Sequence, residues 1–378
     1  MSNRNTILRC GYLLPRVLLL WALLDIMLRF APPQWYTFRT SEFAMVTGRH
    51  DMGPFRTNLT YQNLHAYGDL ASIGNCLDCR QYRPMSIHTD ERGFVNPPSS
   101  GSYDAILMGD SFGLGAEQPE GANLASKISQ HTGLSIYNAC SPMRAISREH
   151  LMELIEQLGM THGTVFFELM DRSFGYAGPP PKTPERERLD RWSQNAEYSP
   201  LANISRDIVG RLYDGRLMPN PYAPNIDRKL LPDGQTMLFF PEDLQRAEPG
   251  RVTWWAKYLG VLNKELRQRN FHLIVILVPS KYTVYQPLIR DAAKTNKKDA
   301  LDELQDKLKD VPVVNTTAAL QQAAAAELVH GNLIYWRDDT HWNAEGVRVA
   351  VEQLQVQYAA GVPATPASAL VKAISQKH

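Results

Sequence analysis

The sequence predicts a three-layer α/β domain built on a doubly wound parallel sheet, preceded by one N-terminal transmembrane helix. Three observations lead there. Apolar runs at 104–109, 135–138, 163–169 and 272–278, with a shorter one at 311–315, have the length and continuity of strands buried on both faces. The stretches between them, 121–132, 145–158, 251–269, 299–309 and 317–328, carry helical spacing or strong helix formers, and a last helix follows over Ala344–Gln357. Tyr12 to Ala31 is mostly apolar and matches the roughly 20 residues that cross a bilayer.

Each element has a local reason. Arg4 and Arg9 precede the apolar stretch, which predicts a cytoplasmic N-terminus over 1–11, a signal anchor at 12–31 and an exported remainder. Ala31-Pro32-Pro33-Gln34 is a poor match to a small-x-small cleavage site, so the anchor is read as retained, with cleavage as the alternative. Arg16 and Arg29 lie near its ends and can snorkel. Asp25 is deeper, and either sits shallow at the outer interface or pairs with another membrane protein.

Residues 32–100 show little periodicity and read as a stalk and lead-in. Cys76-Leu77-Asp78-Cys79 within it could close a small disulfide in an oxidising compartment, while Cys10 lacks a convincing lipidation signal. The main domain is 101–358, with an insertion at 173–250 that includes Pro179-Pro180-Pro181 and either shapes access to the strand rim or decorates it. Trp254-Trp255 then open a helix and read as core, with a sugar platform as the alternative. The tail at 359–378 reads as a loose terminus.

Composition narrows the chemistry. The chain has 378 residues, 44% hydrophobic, enough for one large core, and a net charge of +1 that offers no polyelectrolyte partner. There is no zinc-ligand spacing, no phosphate-cradling Gly-rich loop and no clustered basic face, which argues against metal, nucleotide and nucleic-acid functions. No cofactor is implied.

Two short blocks carry the reactive groups. Gly109-Asp110-Ser111-Phe112-Gly113 follows the first strand, so Ser111 sits just past a strand C-terminus, where open α/β sheets place reactive groups. A serine hydroxyl needs a base to take its proton and a third group to orient that base. Asp338-Asp339-Thr340-His341-Trp342-Asn343 offers both, just before the last helix. Asp339 is the favoured partner of His341, with Asp338 as the alternative.

With these blocks in place, the chain resembles the SGNH/GDSL hydrolase superfamily, and within it the membrane-anchored polysaccharide O-acetyltransferases of the AlgX/AlgJ type, over roughly residues 90–358. The resemblance implies an SGNH or flavodoxin-like sheet, Ser111 as nucleophile, and Asp339 and His341 as its relay. Val278-Pro279-Ser280-Lys281-Tyr282-Thr283-Val284-Tyr285 looks like a Pro-x-Lys-x-x-x-Tyr segment common in those acetyltransferases, which puts Lys281 among the substrate-binding candidates. Two departures stand out. In that family the Asp-His block commonly precedes the serine block. Here it comes last, so the likeness is one of site chemistry rather than chain order.

The superfamily also takes oxyanion donors from a glycine after the second strand and an asparagine after the third, and the corresponding blocks here, Ser135–Pro142 and Thr164–Arg172, have neither. The Ser111 amide is then the first candidate donor, with Cys140, Ser141 and Arg172 as further ones, and Trp342 is expected to line the site. The function implied is O-acetylation of an exported or cell-envelope polysaccharide through an acetyl-serine, at the periplasmic face of a bacterial inner membrane. A membrane-bound O-acyltransferase would be donor partner, met through Asp25. Alternatives are a carbohydrate or lipid esterase, and a silent polysaccharide-binding scaffold.

Overall fold

A computed structural model describes residues 2–45, 53–97, 101–115, 117–142, 145–175, 199–214 and 218–359, without the side chains of 2–14, 214 and 355–359. Cys10, Pro179-Pro180-Pro181 and the tail beyond Ala359 therefore lie outside the described residues. The N-terminal part comprises helix α1 (Ser2–Leu28), the short helix α2 (Thr40–Ala44), strand β1 (Thr60–Ala66), helix α3 (Asp69–Ile73) and strand β2 (Arg83–His88). Among the described residues no helix is long and apolar enough to cross a membrane. β1 and β2 form an antiparallel pair, Thr60 facing His88, with the register shifting between Asn63 and Ala66. The lead-in is thus a folded element packed on the main domain.

The main domain contributes β3 (Ala105–Met108), α4 (Ser111–Leu114), α5 (Leu124–Thr132), β4 (Ile136–Asn138), α6 (Arg148–Gln157), β5 (Gly163–Met170), α7 (Pro200–Asp214), the hairpin β6 (Asp227–Leu230) and β7 (Thr236–Phe239), α8 (Arg251–Gln268), β8 (Phe271–Val278), α9 (Lys281–Tyr285), α10 (Lys297–Lys307), β9 (Val313–Asn315), α11 (Thr317–Leu328) and α12 (Ala344–Ala359). Five strands form one parallel sheet in the order β4-β3-β5-β8-β9. Counted along the chain this is second, first, third, fourth, fifth, the doubly wound order in which direction reverses beside the first strand.

Alternation along the strands separates two cores. Leu107, Phe166, Ile274 and Ile276 point to one face, against Leu124 and Ile128 of α5, Leu320 of α11 and Val347 of α12. Ile106, Val165, Phe167, Leu273 and Val275 point to the other, against Leu151 of α6, Leu262 of α8 and Leu301 of α10. Both faces are covered, which is why the strands read as continuous apolar runs rather than alternating ones. Local caps set the helix starts: Asn123 accepts from Ser126 N–H at 2.8 Å and Ser147 from His150 N–H at 3.1 Å.

Two side chains differ from expectation. Trp255 packs on Phe167, as a core residue should, but Trp254 is 49% exposed and stacks on Tyr258 instead, because it lies on the outward side of α8. Asp25 finds its partners inside the chain: its carboxylate accepts from Ser199 Oγ at 2.5 Å, from Leu201 N–H at 3.1 Å and from Arg29 Nε at 3.1 Å.

The end of β3 is shaped by Glu168 on the neighbouring β5. The buried Glu168 carboxylate accepts from Asp110 N–H at 2.9 Å, and a methyl group on Gly109 would fall on the same carboxylate. Gly109→Ala is expected to lower stability by roughly 1–3 kcal/mol through overpacking, read as a lower urea midpoint at unchanged m. Gly260→Ala, in the middle of α8 with open space around it, should instead gain up to about 1 kcal/mol.

Candidate active site

Ser111 is the first residue of α4, one step beyond the turn that leaves β3. Asp110 caps that turn, its side chain accepting from Phe112 N–H at 2.9 Å. The acidic loop arrives from the other end of the chain. Tyr335 and Trp342 form an isolated antiparallel bridge, and Trp336 N–H donates to His341 O at 3.1 Å, so residues 336–341 are pinched into a closed loop. The loop sets His341 Nε2 2.8 Å from Ser111 Oγ and His341 Nδ1 2.6 Å from Asp339 Oδ1. Asp339 can only accept, so the Nδ1 proton is directed to it and Nε2 is left to face the serine.

Asp339 and Asp338 have separate tasks in this arrangement. Asp339 Oδ1 takes the imidazole and the His341 amide, at 3.0 Å, while Oδ2 accepts from Asp69 N–H and Arg83 Nη2, both at 3.2 Å. Asp338 faces away from the imidazole. Its Oδ1 accepts from Arg83 Nη1 at 2.8 Å and its Oδ2 from Gly68 N–H and Gln81 N–H, each at 2.8 Å. One guanidinium thus bridges two adjacent buried carboxylates. Gly68 comes so close that a methyl group there would strike the Asp338 carbonyl. Asp69 completes the shell by accepting from Thr340 N–H at 2.8 Å and Thr340 Oγ1 at 2.7 Å.

The Pro-x-Lys-x-x-x-Tyr segment holds the same loop from behind. Lys281 is fully buried, and its Nζ donates to the carbonyls of Trp336, Arg337 and Asp339 at 2.7, 3.0 and 2.8 Å. Pro279 O accepts from Tyr335 Oη at 2.7 Å, and Tyr285 Oη accepts from Ile334 N–H at 3.0 Å. All three donor positions of the ammonium are therefore spent on the loop, and the expectation that Lys281 binds substrate is corrected: it is a clamp.

Other expected site residues are also placed differently. Cys140 is buried, its N–H donates to Asn138 Oδ1 at 3.1 Å, and the Ser141 N–H donates to Gly109 O at 3.2 Å. Neither amide is left for an oxyanion. Trp342 lies fully buried behind α4, its Nε1 donating to Phe112 O at 3.2 Å, and does not line the site. Arg172, just beyond β5, donates through Nε to Asp243 at 2.8 Å, while its buried Nη2 has no hydrogen-bond partner among the described residues.

The electrostatics favour a charged relay. Burial works against the charge on His341, yet Glu117, Asp339 and Asp69 outweigh it and raise the imidazole to about 9. Burial likewise opposes ionisation of Asp339, but His341, Arg83 and Arg39 hold its carboxyl well below the usual range. Glu168, under the serine turn, is pushed well above it by burial and by Asp110. Burial brings Lys281 down to about 7. Glu117 is itself buried and paired with Arg39 at 3.3 Å.

Sequence reasoning missed Asp69, Arg83, Glu117 and Glu168. A signal for Arg83 was present: two adjacent acids in a loop destined for burial demand a cation, and Arg83, Met85 and Ile87 alternate inward on β2.

Comparison with known families adds one finding. Residues 236–375 match the family described as ALGX: SGNH hydrolase-like domain, acetyltransferase AlgX. Over this segment the chain is similar to an SGNH hydrolase-like domain of the AlgX type. The segment contains the clamp, the acid loop and His341, and leaves Ser111 upstream of the matched region. No curated protein matches the chain.

Arg83→Met is expected to cost about 3–5 kcal/mol, because it leaves two buried carboxylates without their counter-ion. Arg83→Lys should recover only part of this, since a point charge cannot bridge two carboxylates as a planar fork does. Urea denaturation of both variants measures the difference.

Proposed function

We propose that the protein is an acyltransferase that carries an acetyl group on Ser111 and delivers it to a hydroxyl of a polysaccharide. The observation that carries this reading is the Asp339–His341–Ser111 line, with contacts of 2.6 and 2.8 Å. Neutral His341 accepts the Ser111 proton as Oγ attacks the ester carbonyl, and Asp339 steadies the imidazolium that forms. The histidine returns that proton to the departing alcohol. In the second half the acceptor hydroxyl attacks the acetyl-serine, His341 takes its proton, and Ser111 leaves with it.

The tetrahedral intermediate needs donors. As the first residue of α4, Ser111 has an amide that no intrahelical carbonyl takes. Arg172 Nη2, buried and unpartnered among the described residues at the end of the adjacent strand, is the second donor we assign, where the superfamily the chain resembles uses an asparagine. The match to an acetyltransferase family favours a sugar hydroxyl over water as acceptor.

Although no described helix is by itself long and apolar enough to cross a membrane, the exposed apolar residues 17–24 of α1 favour a single-pass anchor in a bacterial inner membrane, with the N-terminus cytoplasmic and the domain periplasmic. The Cys76–Cys79 disulfide is consistent with an oxidising compartment. A membrane-bound O-acyltransferase is the donor this location calls for. With Asp25 engaged within the chain, that partner would be met through other residues of α1.

With a chromogenic acetyl ester and an oligosaccharide acceptor, Ser111→Ala and His341→Ala are each expected to lose about 10³-fold or more in kcat. Turnover surviving in Ser111→Ala would exclude the serine mechanism, and release of acetate at a rate indifferent to acceptor would make the protein an esterase. Because the base must be neutral, kcat/KM should rise with pH towards about 9. Glu117→Gln removes a charge that raises the imidazole, so the acidic limb of that profile should move to lower pH.

A further inference from the structure

Helix α7 is amphipathic in the reverse sense for a helix resting on a protein. Two of its polar residues, Asn203 and Arg206, face inward, and Asp207, half exposed, lies at the edge of that face. Asn203 Nδ2 donates to Tyr36 O at 2.9 Å, the Arg206 guanidinium donates to the Ser72 carbonyl, and Asp207 pairs with Arg80 at 2.7 Å. Gly210 lies against the Asn75 side chain. The apolar residues look outward: Ile208 is 59% exposed and Leu212 40%. Leu201 and Ile204, both half-buried, extend this side of the helix towards the N-terminus at helical spacing, and the exposed Arg211 flanks it.

What covers this stripe is indicated by its continuity with α1. Asp25 holds the first turn of α7 through Ser199 and Leu201, and Asn203 ties the next turn to the backbone just after α1. From Val17 to Leu24, above the point where Asp25 meets α7, α1 exposes apolar side chains on every side, including Leu18, Leu19 and Leu20. A single protein partner covers one side of a helix, whereas hydrocarbon covers all of them. Phe30 and Trp35, both strongly exposed, stand where the helix gives way to the domain, as aromatic side chains do at a headgroup boundary.

We infer that α7 is an interfacial helix, lying in the headgroup–acyl boundary of the bilayer with Ile208 and Leu212 immersed. The inference rests on the reading of α1 as a membrane anchor and adds to it a second contact, which fixes how the domain is turned. The inner face of α7 lies on Ser72, Asn75 and Arg80, in the stretch 72–80 that comes after the Asp69 that braces the acid loop. Membrane contact and the site are thus joined by one short segment.

The test uses the full chain, in a Cys10→Ser background, reconstituted into phosphatidylethanolamine/phosphatidylglycerol vesicles. An environment-sensitive fluorophore is attached at Leu212→Cys, at Leu20→Cys in α1, or at Lys298→Cys on α10. The fluorophore at 212 is expected to shift to the blue and to be quenched roughly twofold or more by a lipid with a shallow nitroxide, while that at 298 is not. Water-like emission at 212 beside lipid quenching at 20 would overturn the interfacial helix and leave the anchor standing. A blue shift at 212 without lipid quenching would assign the face to a second copy of the chain and also overturn it. Water-like emission at 20 would remove the anchor, and this inference with it.

Discussion

Two adjacent carboxylates, Asp338 and Asp339, are held with no exposure to water, and the rest of the site follows from how their charge is met. Removing a carboxylate from water costs several kcal/mol unless ionic and hydrogen-bond partners offset it. Here the partners are Arg83, three backbone amides of the lead-in at positions 68, 69 and 81, and His341 itself. Once Asp339 is held by Arg83 and Asp69 on one oxygen, only its other oxygen can meet the imidazole. Orientation of the base is therefore a by-product of solving a desolvation problem.

This explains a division of labour that the fold alone does not require. The sheet delivers Ser111 to its rim by parallel strand geometry, and any doubly wound domain of this order could do the same. The histidine is delivered by a loop, and a loop has no such geometry to draw on. From one side Lys281 and Tyr285 grip it through its backbone and Pro279 holds the Tyr335 hydroxyl, and the lead-in grips it through its acids from the other. The precision of the site lies in these supports as much as in the three reacting groups.

The sheet was legible because strands buried on both faces leave uninterrupted apolar runs, and the expected β8 differs from the observed one by a single residue at its start. The acid loop was legible as a block but not in its detail. Asp-x-His and Asp-x-x-His spacings both occur in Asp338–His341, and only Arg83, distant in the chain, turns Asp338 away. The lead-in was unreadable for a related reason: Asn63 and Arg83 are polar residues on the inward side of β1 and β2, so the alternation that marks a half-buried strand is disguised. Nor could spacing show that the amides of Cys140 and Ser141 are consumed by Asn138 and Gly109. Hydrogen-bond bookkeeping of that kind needs the register of neighbouring strands.

The closing contacts of the site span most of the chain: Arg83 reaches Asp338 across 255 positions and Asp69 reaches Thr340 across 271. Contacts this remote are slow to form and come after local structure. During synthesis Ser111 emerges long before the loop that would activate it, and it stays an ordinary hydroxyl until the last strand and the final helix have docked. Such a chain carries its own delay, and its nucleophile gains reactivity only in a molecule that has finished folding.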